Sequence, residues 1–258
     1  MKDQPTELTI GTWNIGGGIL GESHQIGSSA ELDYHMARIQ DWTPDILCLQ
    51  EAHEFRDGQP GQAGLIGKSA GLDHQEISPI SPSHLDPSAD LSLGILSRHE
   101  IAGTHYVEFP NPGLSAEGPN GQHWILFDKG YQITEIRLPH TSMTVVNAHC
   151  FPLHYFGAQA TDTDFTSLWA DFAEDLLQAR NNGPVIATID LNFEPIEEVL
   201  GDIFGESGFR NAFGLTATTP KGMQQDYIIY SDSSVTLKET SVIQTEADHH
   251  YCQARFVI

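Results

Sequence analysis

The chain has 258 residues, 39% of them hydrophobic, which suits a single large domain over residues 1–258 with a sizeable core. Its 35 aspartates and glutamates outnumber 12 lysines and arginines, which gives a net charge of −23. Tight binding of long nucleic acid is therefore disfavoured, because it depends on cations placed against phosphates. A solvated acidic surface, suited to solubility or to a saline habitat, would produce the same imbalance.

Cys48, Cys150 and Cys252 are odd in number, lie in apolar runs and show no Cys-x-x-Cys spacing. We expect reduced core thiols, with neither a disulfide nor a zinc site. The N-terminal MKDQPTEL has no apolar signal region, and no window of the sequence approaches a membrane span. We expect a cytoplasmic protein with no membrane span, and a monomer.

Apolar runs bounded by turn residues predict β-strands along the whole chain. They fall at about Leu8–Ile15, Asp45–Gln50, Leu91–Ser97, Tyr131–Leu138, Met143–His149, Val185–Asp190, Tyr227–Ser231, Thr236–Ile243 and Tyr251–Ile258. Short turns, such as residues 139–142, indicate antiparallel hairpins. Strands interleaved with few helices favour an α/β layered domain with mixed sheets.

Helical spacing of apolar residues predicts one helix from a cap at Ser28 or Ser29 to Trp42, and a second over about Asp162–Arg180. The aromatic residues of the second helix fit a core-facing stripe. Residues 57–87, rich in Gly, Pro, Ser and His, are interpreted as a loop insertion between core strands.

Polar side chains recur where the predicted strands begin or end. The clusters are Thr12-Trp13-Asn14, Leu49-Gln50-Glu51, Asn147-Ala148-His149, Asp190-Leu191-Asn192, Asp226-Tyr227 and Asp248-His249. Hard oxygen donors without a matching Cys/His set suit Mg²⁺ or Mn²⁺. The pattern predicts one concave site for a hard cation and a phosphate.

Each of these residues also has an ordinary structural reading. Asn14 could simply open the Gly16-Gly17-Gly18 turn, or its amide could bind a metal-ligating carboxylate or a phosphate oxygen. Glu51 could be a rim glutamate or a Mg²⁺ ligand. His149 could be a hydrogen-bonded core histidine or part of the site, with Asp90 as a guessed orienting partner.

Asp190 and Asn192 are two residues apart, so on an extended chain they face the same way. Asp190 would then take or orient a nucleophilic water while Asn192 holds a phosphoryl oxygen. His249, kept oriented and charged by Asp226, would neutralise charge on phosphorus. Asp248 is a candidate ligand of the metal or of its water shell.

The ordered motifs TWN, LQE, GILSR, VVNAH, DLN, QDYI and ADH resemble those of the endonuclease/exonuclease/phosphatase superfamily, with its deoxyribonuclease I-like fold. The resemblance covers about Leu8 to Ile258. It implies a four-layered α/β sandwich, in which two mixed β-sheets pack face to face and are flanked by helices. It also implies a Mg²⁺- or Mn²⁺-dependent phosphoester hydrolase.

The resemblance assigns roles to matching positions. Glu51 becomes the main metal ligand with Asn14 beside it, His149 and Asn192 become phosphate contacts, and Asp190 positions the water. Asp226 and His249 form a dyad next to Asp248. Two positions depart from the usual family pattern, since Ile189 replaces a glycine and Ala247 replaces a serine.

The motifs do not choose among phosphoesters, because loops set substrate choice on a shared fold. Residues 57–87, 109–124 and 151–161 are the expected selectors. In the last of these, Phe151, His154, Tyr155 and Phe156 could stack on a base or pack as core. Acidity favours a small or single-end phosphoester; the alternatives are a Mg²⁺-dependent DNA endonuclease, exonuclease or tyrosyl-DNA repair enzyme, and a non-catalytic binding domain.

Overall fold

The computed structural model describes residues 5–21 and 30–258, apart from the Ser207 side chain. Its strands are β1 (Glu7–Asn14), β2 (Ile46–Phe55), β3 (His74–Pro82), β4 (Ala89–Ser97), β5 (Ile101–Glu108), β6 (Ser115–Glu117), β7 (His123–Ile125), β8 (Gly130–Arg137), β9 (Ser142–His149), β10 (Val185–Asp190), β11 (Phe209–Asn211), β12 (Asp226–Ser231), β13 (Thr236–Ile243) and β14 (Tyr251–Val257). Its α-helices are α1 (Leu32–Trp42), α2 (Gln62–Ala70), α3 (Thr166–Asn181) and α4 (Glu197–Leu200).

Two mixed six-stranded sheets form the centre of the fold. The first sheet has the order β13-β14-β1-β2-β4-β3, and the second has the order β11-β12-β10-β9-β8-β5. The pairs β1–β2 and β9–β10 are parallel, whereas β14, β12 and β8 run antiparallel to their neighbours. At one edge of the sandwich, therefore, β1, β2, β9 and β10 end while β8, β12 and β14 begin.

Alternating side chains divide the core into layers. On β2, Ile46 and Cys48 pack between the sheets, while Leu47 and Leu49 pack outward beneath α1 and α2. On the second sheet the face away from the first packs under α3, through Phe172 and its neighbours. This period of two gives the predicted order of helices, sheet, sheet and helix, and so confirms the four-layered α/β sandwich.

A buried polar network crosses the interface between the sheets. Gln50 Nε2 donates to Asn147 Oδ1 at 2.6 Å and to Thr12 Oγ1 at 2.9 Å. Asn147 Nδ2 in turn donates to the Leu49 carbonyl at 2.9 Å. A buried polar group without a hydrogen-bond partner costs free energy, so these bonds fix the position of one sheet against the other.

The strands and long helices largely match the sequence predictions, including the β8–β9 hairpin, and α3 follows a short 3₁₀ turn at Thr163–Phe165. The predicted cap residues Ser28 and Ser29 lie outside the described residues. The loop interpretation of residues 57–87 was wrong, because this stretch contains α2 and β3. None of the helices within the described ranges has the length and apolar character needed to cross a membrane.

Candidate active site

The edge where these strand ends meet collects the predicted site residues from both sheets. Asn14 and Glu51 come from β1 and β2, and His249 lies two residues before the start of β14. The second sheet contributes His149, Asp190 and Asp226, which the strand register places side by side. All six are at most 9% exposed, so the polar groups lie at the floor of the site.

Glu51 does not end its strand as the sequence suggested; it lies within β2 at an irregularity in the pairing with β4. Its φ of 54° is left-handed, a conformation that costs energy for a residue with a side chain. A bulge of this kind re-aims a side chain out of the regular alternation. Here it releases Glu51 from the strand pattern and brings its carboxylate within 3.5 Å of the His149 ring.

Gly17 shows why glycines follow Asn14. Its φ is 65°, and a Cβ at this position would collide with the ring of His53. The backbone therefore turns closely over β2, and Asn14 Oδ1 accepts the Gly16 N–H at 3.0 Å. The turn fixes the Asn14 side chain at the site.

Asn14 Nδ2 donates to Asp190 Oδ2 at 2.8 Å, which joins the first sheet to the second. The other carboxylate oxygen of Asp190 accepts the Asn192 N–H at 3.2 Å. Burial raises the pKa of Asp190 to about 7, although the nearby His249 opposes the shift. A carboxylate with such a pKa is poised to accept a proton near neutrality.

His249 Nδ1 lies 2.9 Å from Asp226 Oδ2. Burial disfavours the charged ring, but the Asp226, Asp190 and Asp248 carboxylates outweigh it and raise the pKa of His249 well above its usual value. The predicted dyad is thus present as a buried contact, with His249 in its cationic form. Half-buried Asp248 adds to the negative field around the ring.

Residues beyond the dyad hold it in place. Trp13 Nε1 donates to the His249 carbonyl at 3.0 Å, and Thr245 Oγ1 donates to the same carbonyl at 2.7 Å. Thr218 Oγ1 accepts the Asp226 N–H at 3.0 Å. The Thr218 carbonyl accepts the His250 N–H at 2.7 Å. Thr218 therefore ties Asp226 and the residue that follows His249 to one loop.

Lys129 is the site residue that the sequence reading missed. It is 4% exposed, and its Nζ lies 3.6 Å from Glu51 Oε1 and 3.1 Å from each ring nitrogen of His149. Burial lowers the pKa of Lys129, with Glu51 and Asp190 opposing that effect. Burial and the Lys129 charge together lower the pKa of His149 far enough to keep its ring neutral at pH 7.

Asn192 is held at the edge of the site in a left-handed conformation, with φ of 56°. Its Nδ2 donates to the Cys150 carbonyl at 3.2 Å. In the 151–161 loop Phe151 is core, whereas Tyr155 is 53% exposed. Packing is therefore confirmed for Phe151, and stacking of a base on this loop stays a prediction.

The donor set fits a hard cation. Ligand atoms of Asp190, Asp226 and His249 lie within 4.8 Å of one another, yet the last two already bind each other. Glu51, whose carboxylate contacts Lys129 and His149 and lies outside that dyad, stays the predicted main ligand of a Mg²⁺ or Mn²⁺ ion. Asp248 and Asn14 stay predicted additional ligands.

Two further expectations concern groups near the site. Asp90 does not orient His149, because its carboxylate pairs with the Arg56 guanidinium at the surface. Cys48, Cys150 and Cys252 are buried free thiols, as expected. Burial raises the pKa of Cys48 to about 12, so it is not a nucleophile at neutral pH.

Comparison with known proteins adds to this geometry. The model of the endonuclease/exonuclease/phosphatase family matches residues 11–249. No curated protein matches the chain.

Similar solved structures include an endonuclease/exonuclease/phosphatase from Beutenbergia cavernae, with a TM-score of 0.72, 16% identity, and coverage of 97% of this chain and 71% of that one. A mannosyl-6-phosphatase from Bacteroides thetaiotaomicron has a TM-score of 0.63, 13% identity, and coverage of 97% and 100%. TDP2 from D. rerio, complexed with a single-strand DNA product, has a TM-score of 0.61, 14% identity, and coverage of 97% and 99%. At these identities the likeness establishes the fold alone.

Proposed function

The chain belongs to the endonuclease/exonuclease/phosphatase family, and from that membership we propose that it is a Mg²⁺- or Mn²⁺-dependent phosphoester hydrolase. The observation that carries the proposal is a pair of buried contacts between the sheets. Asn14 holds Asp190 at 2.8 Å, and Asp226 holds His249 at 2.9 Å. A base and a cation are thereby positioned on one site.

In the proposed reaction a water molecule attacks phosphorus, a new P–O bond forms, and the ester P–O bond breaks. The leaving oxygen departs with the electron pair of that bond and takes a proton from solvent to become an alcohol. Asp190 orients the water and takes its proton, which suits a pKa near 7. His249 faces the charge that develops on the phosphoryl oxygens, and Asp226 keeps it protonated. His149 and Asn192 hold the phosphate.

A divalent ion at Glu51, with Asp248 and Asn14 nearby, would supply further positive charge against the phosphate. The strained φ of Glu51 supports a functional role, because strain of this kind persists where the surroundings enforce it. Neighbouring carboxylates of Asp190 and Asp226 add to the attraction for a cation.

We propose a small or single-end phosphoester as substrate, in preference to long duplex DNA. The support is the net charge of −23, since a polyanion would meet repulsion over most of the surface. Similar structures include both a phosphatase and a complex with DNA product, so the fold does not choose the substrate. We also propose that the protein is cytoplasmic and monomeric.

The test is hydrolysis of p-nitrophenyl phosphate and bis-p-nitrophenyl phosphate with Mg²⁺, with Mn²⁺ and with excess chelator. We expect metal-dependent release of p-nitrophenol from at least one substrate, at a rate lowered by about 10²–10³-fold in His249→Ala. The matched control is His105→Ala, which removes an exposed histidine of β5. Folded, metal-saturated protein that releases no product from either would favour a non-catalytic binding domain.

A further inference from the structure

Lys129 differs from most of the cationic side chains that the structure describes. Of the lysines at described positions, only Lys129 is buried; the others, at 68, 221 and 238, are exposed. Six arginines pair with carboxylates on the surface, namely Arg38, Arg56, Arg98, Arg137, Arg210 and Arg255. Lys129 instead brings its charge to the floor of the active site.

The position of Lys129 follows from the strand order. It immediately precedes β8, and the antiparallel register sets Gly130 opposite His149 at the end of β9. Its Nζ therefore lies between two groups with different proposed tasks, 3.6 Å from Glu51 on the metal side and 3.1 Å from His149 on the phosphate side. Glu51 Oε1 and His149 Nε2 are themselves 3.5 Å apart, so the three side chains form one cluster, and a phosphate that contacts this cluster would meet the ammonium.

Simple neutralisation of Glu51 does not account for this arrangement. Removing an ammonium from water carries a desolvation cost of several kcal/mol, which an exposed lysine beside the same carboxylate would avoid. The ammonium carries three N–H groups, of which the Glu51 carboxylate at 3.6 Å can accept one and the neutral His149 ring one. These two neighbours therefore leave one N–H for a further acceptor.

Resting on the proposed function, we infer that Lys129 binds a non-bridging phosphate oxygen and makes the site selective for phosphomonoesters over phosphodiesters. A phosphomonoester at neutral pH carries close to two negative charges and three non-bridging oxygens. A diester carries one charge and two such oxygens. With two oxygens held by His149, Asn192 and His249, the third oxygen of a monoester would accept from Lys129.

In a diester the corresponding oxygen bears the second ester arm. That arm would be directed at Lys129, Glu51 and His149, which are all at most 9% exposed and leave little room for a substituent. An esterified oxygen is also a poorer acceptor for an ammonium than a charged oxygen. Shape and charge therefore favour the same class of substrate.

The experiment compares kcat/KM for p-nitrophenyl phosphate and bis-p-nitrophenyl phosphate in wild type, Lys129→Gln and Lys129→Arg. Lys238→Gln, at an exposed position of β13, is the control with the same change in net charge. We expect wild type to prefer the monoester. Lys129→Gln should lower monoester kcat/KM by about 10²-fold and diester kcat/KM by less than about tenfold, and Lys129→Arg should recover part of the preference.

A second readout is binding of inorganic phosphate by calorimetry in the presence of Mg²⁺. We expect affinity to fall by about tenfold or more in Lys129→Gln and to be unchanged in Lys238→Gln. Equal losses on both substrates, or unchanged phosphate affinity, would show that Lys129 is only a structural counter-ion.

If wild type prefers the diester, this inference is wrong but the proposed function still stands. The comparison of the two substrates in wild type gives this result even if Lys129→Gln does not fold. Absence of hydrolysis of both substrates by wild type would instead count against the proposed function. In that case, phosphate binding that depends on Lys129 would still support the assignment of this residue as an anion ligand.

Discussion

Asp226 and His249 meet across the two sheets, with Nδ1 of the imidazole 2.9 Å from the carboxylate and both side chains buried. If the pair stabilises charge on phosphorus, His249→Ala should reduce kcat by about 10²–10³-fold, with a smaller effect on KM. Asp226→Asn should cause much of the same loss, and the double variant should be little worse than His249→Ala.

The measurement is turnover per folded molecule, with folding checked by circular dichroism. His105→Ala on the exposed face of β5 should retain full activity. Near wild-type turnover in folded His249→Ala would refute the catalytic assignment.

Asp190 should make the apoprotein less stable as the pH rises. Burial raises its pKa to about 7, so between about pH 4 and pH 7 the folded state holds a proton that the unfolded state has lost. The free energy of unfolding contributed by this group therefore decreases across that window. Asp190→Asn should be inactive yet more stable at pH 8 by on the order of 1–3 kcal/mol, with the gain disappearing near pH 4.

Urea unfolding at both pH values in the presence of chelator measures the effect, and the exposed Asp73→Asn is the control. Equal stability of Asp190→Asn and wild type at pH 8 would show that the folded protein solvates this carboxylate well.

Metal binding should depend on Glu51. Calorimetric titration with Mn²⁺ should show affinity lowered by at least about tenfold in Glu51→Gln, since a neutral amide replaces a charged ligand. Glu76→Gln changes an exposed glutamate of β3 and should leave affinity unchanged. Unchanged affinity in Glu51→Gln would locate the ion elsewhere, with the Asp190, Asp226 and His249 group as the next candidate.

Long DNA should be a poor substrate. We expect plasmid nicking to be slow relative to hydrolysis of small phosphoesters and to fall further at low Mg²⁺, because the net charge of −23 repels a polyanion within a Debye length of about 10 Å at 0.1 M salt. Rates under matched enzyme, metal and salt concentrations provide the comparison. Nicking as fast as small-substrate turnover would contradict the proposed preference.

Gly11 in β1 should not tolerate alanine. A Cβ there would overlap the Tyr251 ring and hydroxyl, and Tyr251 stacks on Trp42 with ring centroids 4.2 Å apart. Gly11→Ala should lower the free energy of unfolding by about 1–3 kcal/mol, as overpacking usually does. Tyr251→Phe in the same chain should restore part of the loss, since this buried hydroxyl has no hydrogen-bond partner among the described residues.

Thermal melting compares these variants with Gly103→Ala, whose added methyl group would meet open space in β5. A Gly11→Ala protein as stable as Gly103→Ala would mean that the Tyr251 ring moves freely.

The sequence could predict the layers because strands such as β9 and β10 are apolar on both faces, which marks a sheet covered on each side. The prediction from sequence missed β5 because this strand is half-exposed and lacks an apolar run, with Gly103 and His105 both exposed. It missed α2 because Gly64 and Gly67 weaken the helical signal. The surface pairing of Asp90 could not be predicted from the local sequence pattern, because such a contact depends on how distant segments pack.

Lys129 was in principle predictable. The proposed hairpin pairs the first residues of β8 with the last residues of β9, so the residue before the hairpin must lie near His149. A lone lysine in a loop carries no signal by itself, and no motif drew attention to it. The bulge at Glu51 could not be predicted in this way, because the apolar residues of a strand do not show where its register with the neighbouring strand shifts.

The place of β14 in the first sheet has a consequence for how the site assembles during folding. This strand lies between β13 and β1, although it follows every other strand along the described chain, and His249 lies two residues before it. Until β14 pairs, β1 presents an open sheet edge. Pairing of β14 closes that edge and brings His249 to Asp226, so completion of the sheet and assembly of the buried pair are one event.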